Sequence, residues 1–264
     1  MKYGFLGCGN MGGALAKALS KTTKEIILAD KFADKAKELA KELGITFGTN
    51  EDVVTKCDAV FLAVKPQMLA ELLDSVREDI QKKRPLIISM AAGTEVAFIE
   101  NKLDPEGKYE LPIIRIMPNT PVSVGKGMIL YCANRNVSKE QKDTFIEAMR
   151  EAGEFDEIPE NLIDAGSAVS GCGPAYMYLF IEALADGGVA CGLPRDKALK
   201  YAIKTMEGSA CLLDVSGKHP GELKDAVCSP GGTTIMGVKA LEDGGLRSAG
   251  MQAVIAAYEK TKKL

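Results

Sequence analysis

No tryptophan and a single histidine, His219, occur in the 264 residues. With one imidazole, zinc lacks its commonest nitrogen ligand, and the seven cysteines (Cys8, Cys57, Cys132, Cys172, Cys191, Cys211 and Cys228) never stand at Cys-x-x-Cys spacing. No metal site is therefore expected. The odd cysteine count and scattered positions suit reduced, mostly buried thiols rather than a disulfide framework. Charge of one sign is also missing: 33 Lys and Arg against 36 Asp and Glu leave a net charge of −3. A nucleic-acid partner would need a concentrated basic face to neutralise phosphates, and none stands out. No apolar run approaches the ~18 residues of a membrane span. The N-terminal apolar stretch is short and broken by glycines, unlike an export signal, so cytoplasmic residence with no membrane partner is the expectation.

What the chain does hold begins at once. Residues 1–12 read as a short apolar strand running into Gly7-Cys8-Gly9-Asn10-Met11-Gly12, the spacing with which a backbone wraps a dinucleotide diphosphate. Gly7 permits the tight turn, Gly9 lets the main chain approach the diphosphate, and Gly12 lets the next helix pack on the strand. Met11, Leu15 and Leu19 recur every four residues after it, as a helix packed on a sheet requires. The same glycines in isolation would be a plain turn; the strand before and the helix after favour nucleotide binding.

The length suits about two domains. Up to about residue 160, β-branched runs alternate with amphipathic stretches, the pattern of a parallel sheet flanked by helices. Strands are expected at Lys2 to Leu6, Glu25 to Ala29, Ile45 to Phe47, Ala59 to Val64, Leu86 to Met90, Ile113 to Met117, Met128 to Cys132 and Phe155 to Ile158. Asp34 is the expected cap of a helix ended by Gly44, and Ser138 with Gln141 forms a capping box. After Pro159 the alternation gives way to long Ala, Leu and Met stretches, so 161–264 reads as wholly helical. Helices are expected at Pro174 to Cys191, Arg195 to Ser216, Pro220 to Cys228, Thr233 to Asp243 and Leu246 to Lys262. A helical domain this small, apolar on more than one face, finishes burying itself against another subunit, so a dimer through this half is expected. The fold class is α/β: a dinucleotide-binding domain over 1–160, then an all-α domain.

Asp30 ends the second strand, 21 residues past Gly9, where a carboxylate accepts from an adenosine ribose and points to NAD. Lys31 follows, and a cation there suits the 2′-phosphate of NADP. The two neighbours argue in opposite directions and leave NADPH against NADH open. Ligands of an open parallel sheet lie beyond the carboxyl ends of its strands. Ala63-Val64-Lys65-Pro66, Met90-Ala91-Ala92-Gly93 and Met117-Pro118-Asn119-Thr120-Pro121 should all reach that edge. Lys65 is a positioning group rather than an acid, because a phosphate beside it stabilises its charged form. In the helical half, Ser170-Gly171-Cys172-Gly173-Pro174 and Ser229-Pro230-Gly231-Gly232-Thr233-Thr234 each precede a helix and can present N–H groups to a carboxylate. Read blandly, both are helix-start turns.

Reduction of a ketone wants a His, Lys or Tyr acid beside the carbonyl oxygen. His219 stands in a Lys-His-Pro-Gly turn suited to starting a helix, and the Tyr258 and Lys262 pair lies on a charged terminal helix far from the cofactor loops. An imine differs: once protonated it already carries the charge that attracts hydride, so the protein need only position it and exclude water.

These motifs in this order, with Ala-Val-Lys-Pro-Gln, Met-Pro-Asn-Thr-Pro, Ser-Gly-Cys-Gly-Pro-Ala-Tyr, His-Pro-Gly-Glu-Leu-Lys-Asp and Ser-Pro-Gly-Gly-Thr-Thr, resemble pyrroline-5-carboxylate reductases along essentially the whole chain. The resemblance implies a Rossmann domain followed by an interleaved helical dimerisation domain, often with five dimers in a ring. It implies cofactor contacts at Gly7, Cys8, Gly9, Asn10, Met11, Gly12, Asp30, Lys31, Asn50, Ala63, Val64, Lys65, Pro66, Ala91, Ala92 and Gly93. The substrate, 1-pyrroline-5-carboxylate, would be held by Ser229, Gly231, Gly232, Thr233 and Thr234, with the Thr234 hydroxyl meeting the ring nitrogen as the catalytic contact. The implied activity is NAD(P)H-dependent reduction of the imine to L-proline, the last step of proline biosynthesis. Two rivals are a reductase of another imine or a β-hydroxyacid and a non-catalytic nucleotide sensor. A β-hydroxyacid enzyme would want a lysine in the first long helix of the second half, and none lies between Leu162 and Gly192. A sensor has no use for the Ser229 to Thr234 loop.

Overall fold

The computed structural model describes residues 1–263. Eight segments form strands: β1 (Tyr3–Leu6), β2 (Ile26–Ala29), β3 (Thr46–Phe47), β4 (Ala59–Leu62), β5 (Leu86–Ser89), β6 (Ile113–Met117), β7 (Gly127–Ala133) and β8 (Gly153–Glu157). They form one sheet in the order β3-β2-β1-β4-β5-β6-β7-β8. Pairs from β3 to β6 are parallel, which places the ends of β1, β2, β4 and β5 on one edge. The expected parallel sheet carries one reversal: β7 runs antiparallel to β6, and β8 runs parallel to β7. Only residues 118–126, with a 3-10 turn over Thr120–Val124, separate β6 from β7. A parallel return needs a crossover of about a dozen residues or more, so the chain reverses instead.

Helices α1 (Asn10–Leu19), α2 (Ala33–Leu43) and α6 (Lys139–Ala148) cover one face, where Leu15, Leu19, Ala36, Ala40 and Phe145 are buried with Phe5 and Phe61. The Phe5 and Phe61 rings stack with centroids 4.2 Å apart. Helices α3 (Asn50–Lys56), α4 (Pro66–Lys83), α5 (Val96–Leu103) and α7 (Glu160–Ser170) supply Val53, Leu69, Leu73, Ile99 and Ile163 to the opposite core. The Ser138 and Gln141 capping box forms as expected, and Gly44 ends α2 in the left-handed region. Asp34 does not cap α2. The cap position falls to Phe32, without a side-chain bond, and Asp34 lies inside the first turn.

Two buried polar side chains fix α7 to the sheet. Arg115 of β6, 1% exposed, donates through Nη2 to Asp164 at 2.7 Å and through Nη1 to Glu160 at 3.3 Å, while Glu160 also accepts from the Val96 amide at 2.7 Å. At the other end of α7, Asn119 donates to the Ser170 carbonyl at 3.0 Å and accepts from the Met128 amide at 3.0 Å.

The chain forms two compact units: Met1–Cys172 with the end of the chain from Tyr258, and Gly173–Ala257. The second comprises α8 (Gly173–Ala190), α9 (Arg195–Ser216), α10 (Pro220–Ala226), α11 (Thr233–Asp243) and most of α12 (Leu246–Thr261). Its buried cluster is small: Ala185, Ala198 and Ala202, with Ile181 and Val189 packed on it. Small residues let α8 and α9 approach, since a Cβ at Gly188 would lie 3.1 Å from the Ala198 Cβ. The Tyr176 hydroxyl donates to the Ala253 carbonyl at 3.3 Å and links α8 to α12. Large apolar side chains stay on the outside of this unit in the single chain, including Leu179 at 66%, Val215 at 80% and Met236 at 62% exposure. Exposure on this scale is what an obligate partner surface looks like before the partner is added.

Candidate active site

At the carboxyl edge of β1, the glycine turn is shaped by close approaches. Gly7 has φ +110°, and a Cβ on it would lie 2.5 Å from the Ala63 carbonyl oxygen. A Cβ on Gly12 would lie 2.5 Å from the Gly7 carbonyl oxygen and 2.8 Å from the Ala63 Cβ. These two glycines therefore serve packing. Gly9 differs: a Cβ there would meet nothing within 4 Å. It caps α1 with no side-chain bond, so the first amides of the helix have no cap partner, and an anion there is favoured by N–H groups and helix dipole alike. A cradle with one bare glycine at an uncapped helix start fits a dinucleotide diphosphate.

A cleft of about 540 Å³ extends from this turn, with Gly7, Gly9, Asp30, Lys31, Asn50, Ala63, Val64 and Lys65 of the expected cofactor set along it. Each arrives on a strand end or helix start. Asp30 and Lys31 follow β2, Asn50 opens α3 behind a Thr49 capping box, and Lys65 is the cap residue of α4, with Pro66 as its first residue. Cys8, Asn10, Met11 and Gly12 form the turn and the first turn of α1 behind the lining. Ala91, Ala92 and Gly93 follow β5 at the same sheet edge, with Gly93 at φ +68°, but are not part of the cleft wall.

The wall also includes Phe32, Lys35, Met68, Leu72 and Ser75, which the sequence reading missed. Phe32, 63% exposed on the cleft rim, had one available signal: a large apolar residue directly after the Asp30 and Lys31 pair. The Lys35 ammonium sits 5.3 Å from the Phe32 ring centroid. The Cys8 thiol is pushed up to about 12, first by burial and then by the Asp30 charge, so it is a neutral donor rather than a nucleophile.

In the second unit, Ser229, Gly231, Gly232, Thr233 and Thr234 gather in one turn between α10 and α11. Gly231 has φ +69°, the Gly232 amide donates to the Ser229 carbonyl at 3.0 Å, and Gly232 caps α11 without a side-chain bond. Thr233 and Thr234 are the first two residues of α11, and both are exposed. Their amides, like any first-turn amides, have no partner inside the helix and suit a carboxylate. His219 serves the fold: it caps α10, and its Nδ1 accepts from the Gly221 amide at 3.1 Å.

Two family models match separate parts of the chain. Residues 160–264 match "Pyrroline-5-carboxylate reductase dimerisation", and residues 2–93 match "NADP oxidoreductase coenzyme F420-dependent". The pyrroline-5-carboxylate reductase of Synechocystis is 41% identical over 100% of this chain and 98% of its own length. That of Glycine max is 38% identical over 99% of this chain and 95% of its own. The crystal structure of Plasmodium falciparum pyrroline carboxylate reductase with NADP bound aligns at TM-score 0.88 and 33% identity, covering 100% of this chain and 97% of that one. Full-length likeness at this identity, on a fold carrying both the glycine cradle and the Ser229 to Thr234 turn, places the chain in the pyrroline-5-carboxylate reductase family.

Proposed function

We propose that this protein reduces the imine of 1-pyrroline-5-carboxylate to L-proline with NADPH or NADH, as the last step of proline biosynthesis. The observation that carries the reading is the Ser229 to Thr234 turn, where a left-handed Gly231 and a bare Gly232 cap leave the α11 amides open beside a threonine hydroxyl. A bound reduced nicotinamide supplies the hydride. The chain's own work is positional. The turn at Gly9 and the start of α1 would hold the diphosphate, with Lys31 and Asn50 on the adenosine side and Asp30 at the turn, while Ala63 to Pro66, with Ala91 to Gly93 at the same sheet edge, would receive the nicotinamide end. The amides of Gly231 and Thr233 hold the substrate carboxylate, the Gly232 amide being taken by the Ser229 carbonyl, and the Thr234 hydroxyl orients the imine nitrogen. No strong side-chain acid is needed at the carbon, because the protonated imine is already electrophilic and an amine leaves as product.

Residues 1–160 act as the cofactor domain and 161–264 as the substrate and dimerisation domain. The exposed apolar side chains of α8, α9, α11 and α12 support a homodimer through the helical half. Five such dimers close into a ring, and the assembly resides in the cytoplasm. Among the described residues no helix is long and apolar enough to cross a membrane. The test is to follow the near-ultraviolet absorbance of each reduced cofactor with 1-pyrroline-5-carboxylate. Oxidation coupled to proline formation is expected; oxidation only with a different imine or with a β-keto acid would replace the substrate.

A further inference from the structure

We propose that Asp30 is a positioning residue of the glycine turn and does not read the adenosine ribose. The proposal rests on the reading of the first unit's cleft as a dinucleotide site. A carboxylate at the end of the second strand ordinarily accepts from the ribose hydroxyls. Here both oxygens already accept from the main chain. Oδ2 takes the Cys8 amide at 2.7 Å, and Oδ1 takes the Phe32 amide at 2.9 Å. The second bond closes a local turn of the kind aspartate commonly makes with a backbone N–H two residues on. The first is long-range: it ties the end of β2 to the middle of the glycine turn.

Two further bonds join the same strand end to the same turn. The Gly7 amide donates to the Ala29 carbonyl at 2.8 Å, and the Cys8 thiol donates to that carbonyl at 3.6 Å. Gly9 has no side chain, and a Cβ there would touch nothing, so side-chain packing does not hold this part of the turn in shape. The Asp30 carboxylate does so instead, through a charge-assisted bond that is both short and strong. Because Cys8 is the residue between Gly7 and Gly9, its amide orientation sets the path of the chain that must meet the diphosphate. Asp30 therefore acts on the part of the ligand that NADH and NADPH share. Discrimination between them passes to the rim of the cleft, where Lys31, Phe32 and Lys35 stand.

The test is direct binding of NADPH and NADH to the purified full-length protein, followed by nicotinamide fluorescence with no substrate present. Asp30→Ala is expected to raise both dissociation constants together, by about five- to thirtyfold, as loss of a charge-assisted bond to the turn implies. Their ratio should stay within about threefold of that of the unaltered protein. Asp30→Asn, which keeps one acceptor oxygen but loses the charge and turns an NH2 group toward the second amide, should recover only part of the loss, and by the same factor for both cofactors. A ribose reader would behave otherwise: either variant would lose NADH selectively and shift the ratio about tenfold or more, which overturns the proposal. A lower melting temperature with unchanged affinities also overturns it, since a merely structural bond gives that result. If Asp30→Ala does not fold, the ratio in Asp30→Asn decides alone. Failure of the unaltered protein to bind either dinucleotide defeats the underlying reading instead.

Discussion

A Gly9→Ala substitution adds a methyl group where the fold has nothing within 4 Å, so it tests the cofactor cradle with little disturbance of the protein. Gly9 caps α1 at φ −70° and ψ −171°, a conformation that alanine adopts freely. Restricting the unfolded chain stabilises by ~0.4–1 kcal/mol, while alanine in place of a better cap residue costs a similar amount. The melting temperature should therefore move by no more than about 3 °C. Binding is another matter, because the methyl group stands where the diphosphate must approach the helix amides. Losing one hydrogen bond to a charged group costs ~1.5–3 kcal/mol, which is about a 10- to 150-fold rise in dissociation constant. Fluorescence titration with NADPH, paired with a thermal melt, measures both quantities. Gly12→Ala provides the contrast: its Cβ would lie 2.5 Å from the Gly7 carbonyl oxygen, so stability and binding should fall together. Wild-type affinity in Gly9→Ala would show that no ligand approaches this glycine and would undo the assignment of the cradle.

Thr234→Ala should lower kcat/KM for 1-pyrroline-5-carboxylate by roughly 10- to 100-fold while leaving NADPH affinity unchanged, and unaltered steady-state kinetics would remove Thr234 from the site. Dilution below the dimer dissociation constant should abolish activity, checked by light scattering alongside the assay; a fully active monomer would refute the dimeric site. Arg115→Ala should destabilise the first unit by about 2–4 kcal/mol in denaturant melts, because it leaves Glu160 and Asp164 without the cation they face, and a change under ~1 kcal/mol would contradict the role given to it. Burial pushes the thiols of Cys8, Cys57 and Cys132 up to about 12, 11 and 11. At pH 8, below all three values, about one thiol in a thousand or fewer is ionised, so alkylation followed by mass spectrometry should leave these cysteines unmodified in the native protein.

Much of the first unit was legible because its signals are local. Apolar runs such as Val60, Phe61 and Leu62 announce buried strands whatever surrounds them, and Gly44 or the Ser138 and Gln141 pair marks a helix end within its own turn. The direction of β7 was not legible, since the apolar pattern of a strand reads the same for parallel and antiparallel pairing. The shortness of residues 118–126 was the available clue. Asp34 shows the limit of composition: a good cap residue stood two positions inside the cap site at Phe32, and the helix began at Ala33 without it.

The chemistry divides along the same line. The order of residues by itself determined the glycine cradle, the absence of a histidine acid and the Ser229 to Thr234 turn, because each depends on residue type within a few positions of chain. Only the tertiary structure decided that Gly9 faces open space while Gly12 is packed, that Phe32 and Lys35 join the cleft wall, and that Asp30 bonds to Cys8 far upstream. Those facts depend on which strand ends lie side by side, and the hydrogen bonds of a parallel sheet link segments that the sequence keeps many residues apart.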